Sequence, residues 1–139
     1  MAAEDLRNEL LDSLYHILDL EAFATLDDFL QGETLLLRFL ALRREPVCPS
    51  DLSDQLHLSR SRITAALSAL RRKGLVLTEP SQEDRRRVEV TITQEGQAVI
   101  GEKIERLNAY FDRLVNGLGS EETHQLIGLI DRCVKIMED

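Results

Sequence analysis

A single change of apolar period, at Gly74, organises this chain. Up to Lys73 the apolar residues recur at helical spacing, with Ile63, Ala66, Leu67 and Leu70 on one stripe. Beyond Gly74 the spacing turns strand-like. Leu75-Val76-Leu77-Thr78 reads as one strand, and Val88-Glu89-Val90-Thr91-Ile92 alternates with Val88, Val90 and Ile92 inward. Residues 80–87 between them form a polar, charged tip. A helix that runs directly into a short hairpin leaves few architectures open.

The residues upstream narrow the choice further. Cys48-Pro49-Ser50-Asp51 reads as a helix start: proline suits the first helical position, and aspartate suits the positive end of the helix dipole. The short helix 49–56 is expected to bury Leu52 and Leu56, and His57-Leu58-Ser59 to form a tight turn. Ser59 caps the helix that runs to Lys73. Arg71-Arg72-Lys73 occupy its last turn, and Gly74 follows as the residue that leaves it. Residues 46–92 are therefore read as a winged helix–turn–helix.

Helices are expected on both sides. Residues 4–24 read as one amphipathic helix with Leu6, Leu10, Leu14, Ile17 and Leu18. Residues 32–44 are apolar nearly all round and should be central to the core. Thr93 caps a long helix to about Val115, in which Ile100, Ile104, Leu107, Phe111, Leu114 and Leu118 are spaced 4-3-4-3-4. Asn116-Gly117 reads as its end and Ser120 as the cap of a last helix. That helix would bury Leu126, Ile127, Ile130, Cys133, Val134 and Met137. The fold class is mostly α with a small β-hairpin wing, in three regions: 1–29, 30–96 and 97–139. Leu6, Leu10, Leu14, Ile17, Leu107, Phe111, Leu114, Ile130 and Val134 supply more apolar surface than one small winged helix can cover, so pairing of two copies is expected.

The chain has 139 residues, within the range of one domain. Cys48 and Cys133 are its two cysteines, far apart and in no metal or disulfide spacing, which fits a reducing compartment. The N-terminus is acidic, without the basic and apolar regions of a signal peptide. No apolar run approaches the ~18–20 residues of a membrane span. A cytoplasmic chain with no membrane partner is expected.

The net charge is −8, which speaks against a general nucleic-acid coat. The charge is segregated, however. Residues 57–87 hold eight arginines and lysines against three acids, a balance of +5, so the remainder carries −13. Such a confined basic face on an acidic body is the footprint of a site-limited binder of double-stranded DNA. The solvent face of the second helix offers Ser59, Arg60, Ser61, Arg62, Thr64, Ala65 and Ser68. Arg62 suits a guanine edge, and Thr64 and Ala65 a thymine methyl. The wing offers Arg85, Arg86 and Arg87, with Arg86 suited to a narrow minor groove. A plainer account also stands: Arg71–Lys73 satisfy a helix end and the wing arginines solvate a loop.

The stretch from Leu30 to about Gly101 resembles the MarR family (multiple antibiotic resistance regulators). The residues that carry this are PSDLSDQLHLSRSRITAALSALRRKGLV, then EDRRRVEVTITQEGQAVI. The family's wing motif falls on Asp84-Arg85-Arg86 and on Ile92-Thr93-Gln94-Glu95-Gly96. The resemblance implies a homodimer with interdigitating terminal helices, a palindromic operator and, usually, repression. It also implies release by small lipophilic or phenolic ligands, oxidants or metals. It assigns Arg86 to the minor groove and Asp84 to orienting a nearby arginine. Two departures are Gln31, where the family often has a threonine cap, and a short first helix; both bear on the ligand pocket.

Catalysis finds no constellation, and no cofactor or metal site is expected. His16, His57 and His124 are isolated, and no glycine-rich phosphate loop is present. Cys48 sits where a helix dipole favours thiolate, but a small cap residue accounts for it better. Three readings of function follow. The first is a repressor released by a small organic effector. The second is a redox- or metal-responsive regulator of the same fold. The third is a winged-helix protein-interaction module without an operator.

Overall fold

Acidic residues open the first helix and a turn without glycine or proline closes it. In the computed structural model, which describes residues 2–43 and 45–138, α1 spans Ala3–Leu18 with Glu4 and Asp5 in its first turn. The chain then breaks, and α2 spans Glu21–Asp28. The single helix expected over 4–24 is thus two. Leu20 is extended, at φ −73° and ψ 144°, and its carbonyl accepts from the N–H groups of Phe23 and Ala24 at 3.0 and 3.2 Å. A two-residue turn preserves the apolar spacing, so periodicity alone runs through it.

Helix α3 spans Gly32–Ala41 and is central, as expected, with Leu36, Leu37 and Leu40 buried. It ends before the expected 32–44 range does: Leu42 is exposed, and Arg44 lies outside the described residues. Helix α4 spans Pro49–Leu56, with Cys48 at the cap position and Leu52 buried; Leu56 is only half-buried. Helix α5 spans Arg60–Arg72 and buries Ile63, Ala66, Leu67 and Leu70. It closes in a Schellman motif. Gly74 has φ 74°, its N–H donates to Arg71 O at 3.0 Å, and the Leu75 N–H donates to Leu70 O at 2.9 Å.

Strands β1, Val76–Pro80, and β2, Val88–Ile92, pair antiparallel with Val76 opposite Ile92 and Thr78 opposite Val90. Val47, between two prolines, adds a single bridge: its N–H donates to Val90 O, and the Val90 N–H to Val47 O at 2.8 Å. The hairpin is thereby anchored to the segment before α4. One residue of pairing has no alternation to read, so the sequence does not announce it. Val88 shares the inward face with Val90 but is 44% exposed, against the expectation that it is buried. It lines an open cleft with Thr64, Ser68 and Arg71 of α5.

The last helical element, α6, spans Gln94–Met137. Thr93 caps it, accepting from the Gly96 N–H at 3.0 Å and donating to Gly74 O at 2.8 Å. Its one non-helical residue is Gly119, at φ 82° and ψ 170°. The break expected at Asn116-Gly117 is therefore two residues later, and Ser120 follows it rather than forming the cap. Residues 1–104 and 105–139 form two compact units. Ile100, in the first, belongs to the core with Leu36, Leu52, Ile63, Leu70, Val76 and Val90.

The expected buried face of the last helix is not buried in the single chain. Leu126, Ile127, Ile130, Val134 and Met137 are exposed, and so is Cys133. An apolar stripe marks a face that avoids water without saying whose atoms cover it. In α1 the same holds for Leu6, Leu10 and Leu14, which are exposed, while Ile17 is half-buried. Leu107 and Phe111 are half-buried and Leu114 is exposed. Among the described residues no helix is long and apolar enough to cross a membrane.

Candidate nucleic-acid interface

The turn between α4 and α5 sets the presentation of α5. His57 takes the left-handed conformation, φ 54° and ψ 38°, which histidine tolerates better than branched residues do. The Ser53 hydroxyl donates to Leu58 O at 2.6 Å and holds the turn closed. Ser59 then caps α5, its Oγ accepting from the Arg62 N–H at 3.2 Å and lying 3.2 Å from Ser61 Oγ. This leaves the N-terminal turn of α5 outward, the end that enters a major groove in helix–turn–helix proteins.

Ser59, Arg60, Ser61, Arg62, Thr64 and Ala65 are exposed and Ser68 is half-buried. They do not form one uniform face. Ser61, Ala65, Ser68 and Arg72 recur at helical spacing opposite the buried stripe and form its middle. Arg62 and Ala65 line a cleft of about 520 Å³ on the α3 side. Thr64 and Ser68 line another, of about 400 Å³, on the wing side. The Thr64 hydroxyl donates back to Arg60 O at 2.8 Å, leaving its methyl as the outward group.

The wing tip is a turn from Asp84 to Arg87. The Arg87 N–H donates to Asp84 O at 2.9 Å, which places Arg85 and Arg86 at the apex. Asp84 Oδ1 accepts from the Arg86 N–H at 3.1 Å and lies 3.6 Å from Arg86 Nε. All three arginines are exposed. Ser81, which the sequence reading passed over, organises the loop from within. It is buried, its N–H donates to Arg87 O at 2.8 Å, and its Oγ accepts from the N–H groups of Glu83 and Asp84. Its signal was the Ser–x–Glu–Asp spacing of a side-chain-capped turn.

On the α3 side lies a polar cluster that no local motif announces. Lys103 Nζ donates to Asp28 Oδ2 at 3.0 Å and to Thr34 Oγ1 at 2.9 Å, and Thr34 Oγ1 donates to Asp28 Oδ2 at 2.9 Å. Lys73 Nζ lies 2.7 Å from Glu33 Oε1, joining the end of α5 to the start of α3. Gln31 holds the cap position of α3 without a side-chain cap bond. Burial pushes the Asp28 carboxyl up, but the hydrogen bonds from Lys103 and Thr34 and the Lys103 charge outweigh it. The carboxyl sits below the ordinary aspartate value of 3.8.

A carboxyl held low in the fold contributes stability above its unfolded pKa and loses it as pH falls through the folded one. Lys103→Met should therefore destabilise the protein at neutral pH, by no more than about 1 kcal/mol because both partners are over a third exposed. The difference from wild type should shrink as pH falls below 3.8, which urea melts at pH 7 and pH 3 would measure. An unchanged difference would remove the ion pair as its cause.

Cys48 is half-buried at the α4 cap position and makes no side-chain cap bond. His16 lies in the last turn of α1, and His124 Nδ1 is 2.8 Å from Ser120 O. The three histidines lie on different elements: α1, the α4–α5 turn and α6.

Residues 31–96 match the family described as winged helix DNA-binding domain. The HTH-type transcriptional regulator FarR of Neisseria gonorrhoeae is 31% identical over 86 residues, 62% of this chain and 59% of that one. The HTH-type transcriptional regulator PapX of Escherichia coli is 28% identical over 89 residues, 63% of this chain and 54% of that one. The match thus spans little more than half the length of either relative. Among solved structures, YusO of Bacillus subtilis superposes with a TM-score of 0.74 at 18% identity, covering 97% of this chain and 99% of that one. MepR, a transcription regulator of the Staphylococcus aureus multidrug efflux pump MepA, gives 0.68 at 20% identity, covering 94% and 97%. These two likenesses concern the fold: with the domain matched over residues 31–96, they give the chain the architecture of the winged helix proteins.

Proposed function

We propose that the chain is a cytoplasmic transcription regulator that binds double-stranded DNA sequence-specifically as a homodimer, and that it represses from a palindromic operator. The observation that carries this is the confinement of net positive charge to the stretch 57–87, which holds α5 and the wing. Eight cations face three acids there, on a body of the opposite sign. Such a surface draws phosphate to one face and repels it from the rest. Arg62, Thr64 and Ala65 would read base edges in the major groove. Ser59, Arg60, Ser61 and Ser68 would hold phosphates, and Arg86 would enter the minor groove. Selection of bound sequences from a random duplex pool tests it. Two inverted half-sites about one helical turn apart are expected; recovery of no enriched sequence would leave a protein-interaction module.

The homodimer rests on the apolar residues that the single chain leaves in water, Leu6, Leu10 and Leu14 in α1 and Ile130 and Val134 in α6. Exposing them costs roughly 25 cal/mol per Å², which a second copy would offset. Light scattering at micromolar concentration is expected to give twice the chain mass, and Leu10→Glu with Leu14→Glu to give monomer or aggregate. A soluble monomeric wild type would sink the dimer.

Regulation by a small organic effector is the preferred trigger. The cleft beside Arg62, which also holds Lys73, Lys103 and the Asp28 carboxylate, offers a site whose filling reaches the recognition helix directly. An effector weakens DNA binding only by its differential affinity for the two states. If Cys48→Ser abolishes release by peroxide, or if zinc alone controls binding, the redox or metal alternative replaces it.

A further inference from the structure

The two halves of the basic stretch do not share its charge equally. From Ser59 to Lys73 the chain carries Arg60, Arg62, Arg71, Arg72 and Lys73 and no acid. From Val76 to Ile92 the hairpin carries three arginines against Glu79, Glu83, Asp84 and Glu89, a balance of −1. The wing is therefore not a basic element. It is an acidic stem with its cations gathered at the apex.

The stem acids are placed as a pair. Glu79 stands directly opposite Glu89 in the register of β1 on β2. Both alternate away from the face that buries Val76 and Val90. Glu79 is exposed and Glu89 half-buried. Like charges directly opposite each other weaken a hairpin. Among the described residues neither carboxylate forms an ion pair. Glu79 also borders the cleft between the hairpin and α5, beside the helix that would meet phosphate. Arg71 lines the same cleft, but its Nη1 donates to Thr78 Oγ1 at 3.0 Å rather than to Glu79.

A pair that costs hairpin stability and has no cation partner has its use outside the hairpin. We infer that Glu79 and Glu89 are specificity determinants that act by repulsion. They admit the wing to DNA apex first and oppose its lying along the phosphate backbone. Glu89 is three residues from Arg86, about 10 Å along a strand at ~3.3 Å per residue. That is about one Debye length at ~0.1 M salt, and the arginine side chain reaches further still. With the apex in a groove, the pair is largely screened from the phosphates that the apex meets. With the stem laid along the backbone, it is not. A complex held on random sequence by charge alone has no fixed register and samples such poses. An operator complex is locked by its base contacts. The acids thus weaken the wrong complex more than the right one, and selectivity is that difference.

The inference rests on the proposed DNA-binding reading, and the test separates the two. The protein and its variants are titrated onto the selected operator and onto a random duplex, from low salt upward. Glu79→Gln with Glu89→Gln is expected to tighten the random complex about tenfold and the operator complex less than about threefold, so selectivity falls. Glu79→Asp with Glu89→Asp keeps both charges and should keep the wild-type ratio. Glu9→Gln with Asp12→Asn makes the same change of net charge on α1 and should keep it too. Losing the repulsion relieves the hairpin, so the double glutamine variant should melt no lower than the wild type. If that variant tightens both complexes by the same factor, or changes neither, the stem does not select and the inference is overturned. If the wild type binds neither duplex, the DNA-binding reading itself has failed.

Discussion

Gly96→Ala is expected to lower the unfolding free energy by about 3 kcal/mol, measured by urea titration at fixed protein concentration. The site leaves no room for a methyl. A Cβ built on Gly96 would stand 2.2 Å from the carbonyl oxygen of Leu75 and 2.7 Å from Ile92 Cγ1. The second neighbour is a side chain and can turn away. The first is backbone, and it is fixed on both sides: Leu75 is the last residue of the Schellman closure, and its carbonyl accepts from the Thr93 N–H at 3.0 Å. Relief therefore requires moving the first turn of α6 away from the base of the wing. That turn is also where Thr93 bonds both Gly74 O and the Gly96 N–H, so three close contacts shift together. Gly101 is a control within the same helix, because a Cβ there meets nothing within 4 Å. Gly101→Ala should be neutral or stabilising by up to about 1 kcal/mol. Equal effects at the two glycines would mean that helix propensity, and not the approach of α6 to the wing, decides the outcome.

The same region shows why some of the fold was legible in the sequence. The α5 helix was read to within a residue at each end, because Ser59 and Gly74 act on the backbone beside them. A hydroxyl before an apolar stripe caps it, and a glycine after a basic turn leaves it, whatever lies further off. Asn116-Gly117 gave an equally local signal and misled, because asparagine and glycine are tolerated within a helix at a modest cost; within α6 it is Gly119 that adopts a conformation that needs glycine. Long-range pairs left no such trace. Lys103 and Asp28 are 75 positions apart, and neither breaks the pattern of its own helix. The Val47 bridge is equally silent. For the candidate interface, residue types and exposure were readable from the stripe they oppose. The division of α5 between two clefts was not, since it depends on which neighbours flank the helix.

Arg86→Ala is expected to weaken specific DNA binding by about 1–3 kcal/mol and to reduce the salt slope by roughly one unit. The turn geometry singles this arginine out from its neighbours. Arg87 closes the turn, with its N–H on Asp84 O and its carbonyl on Ser81 N–H, so its backbone is committed to the base of the loop. Arg85 and Arg86 share the apex, but only Arg86 meets Asp84 through both its backbone N–H and its side-chain Nε. The side chain is 94% exposed, and an ion pair so open to water is weak. It biases the direction of the guanidinium at little cost and gives it up readily to a stronger partner. A narrow minor groove is such a partner, because its potential is most negative where A·T pairs compress it. Arg86→Ala should therefore also flatten any preference for A·T pairs outside the major-groove half-sites, whereas Arg85→Ala should weaken binding without changing that preference. Asp84→Ala keeps every positive charge but frees the turn, so it should blunt the A·T preference while leaving the salt slope at the wild-type value. Titrations of the three variants on operators that differ only in their flanking pairs decide the matter. An Arg86→Ala protein with unchanged affinity and slope would mean that the wing does not reach DNA.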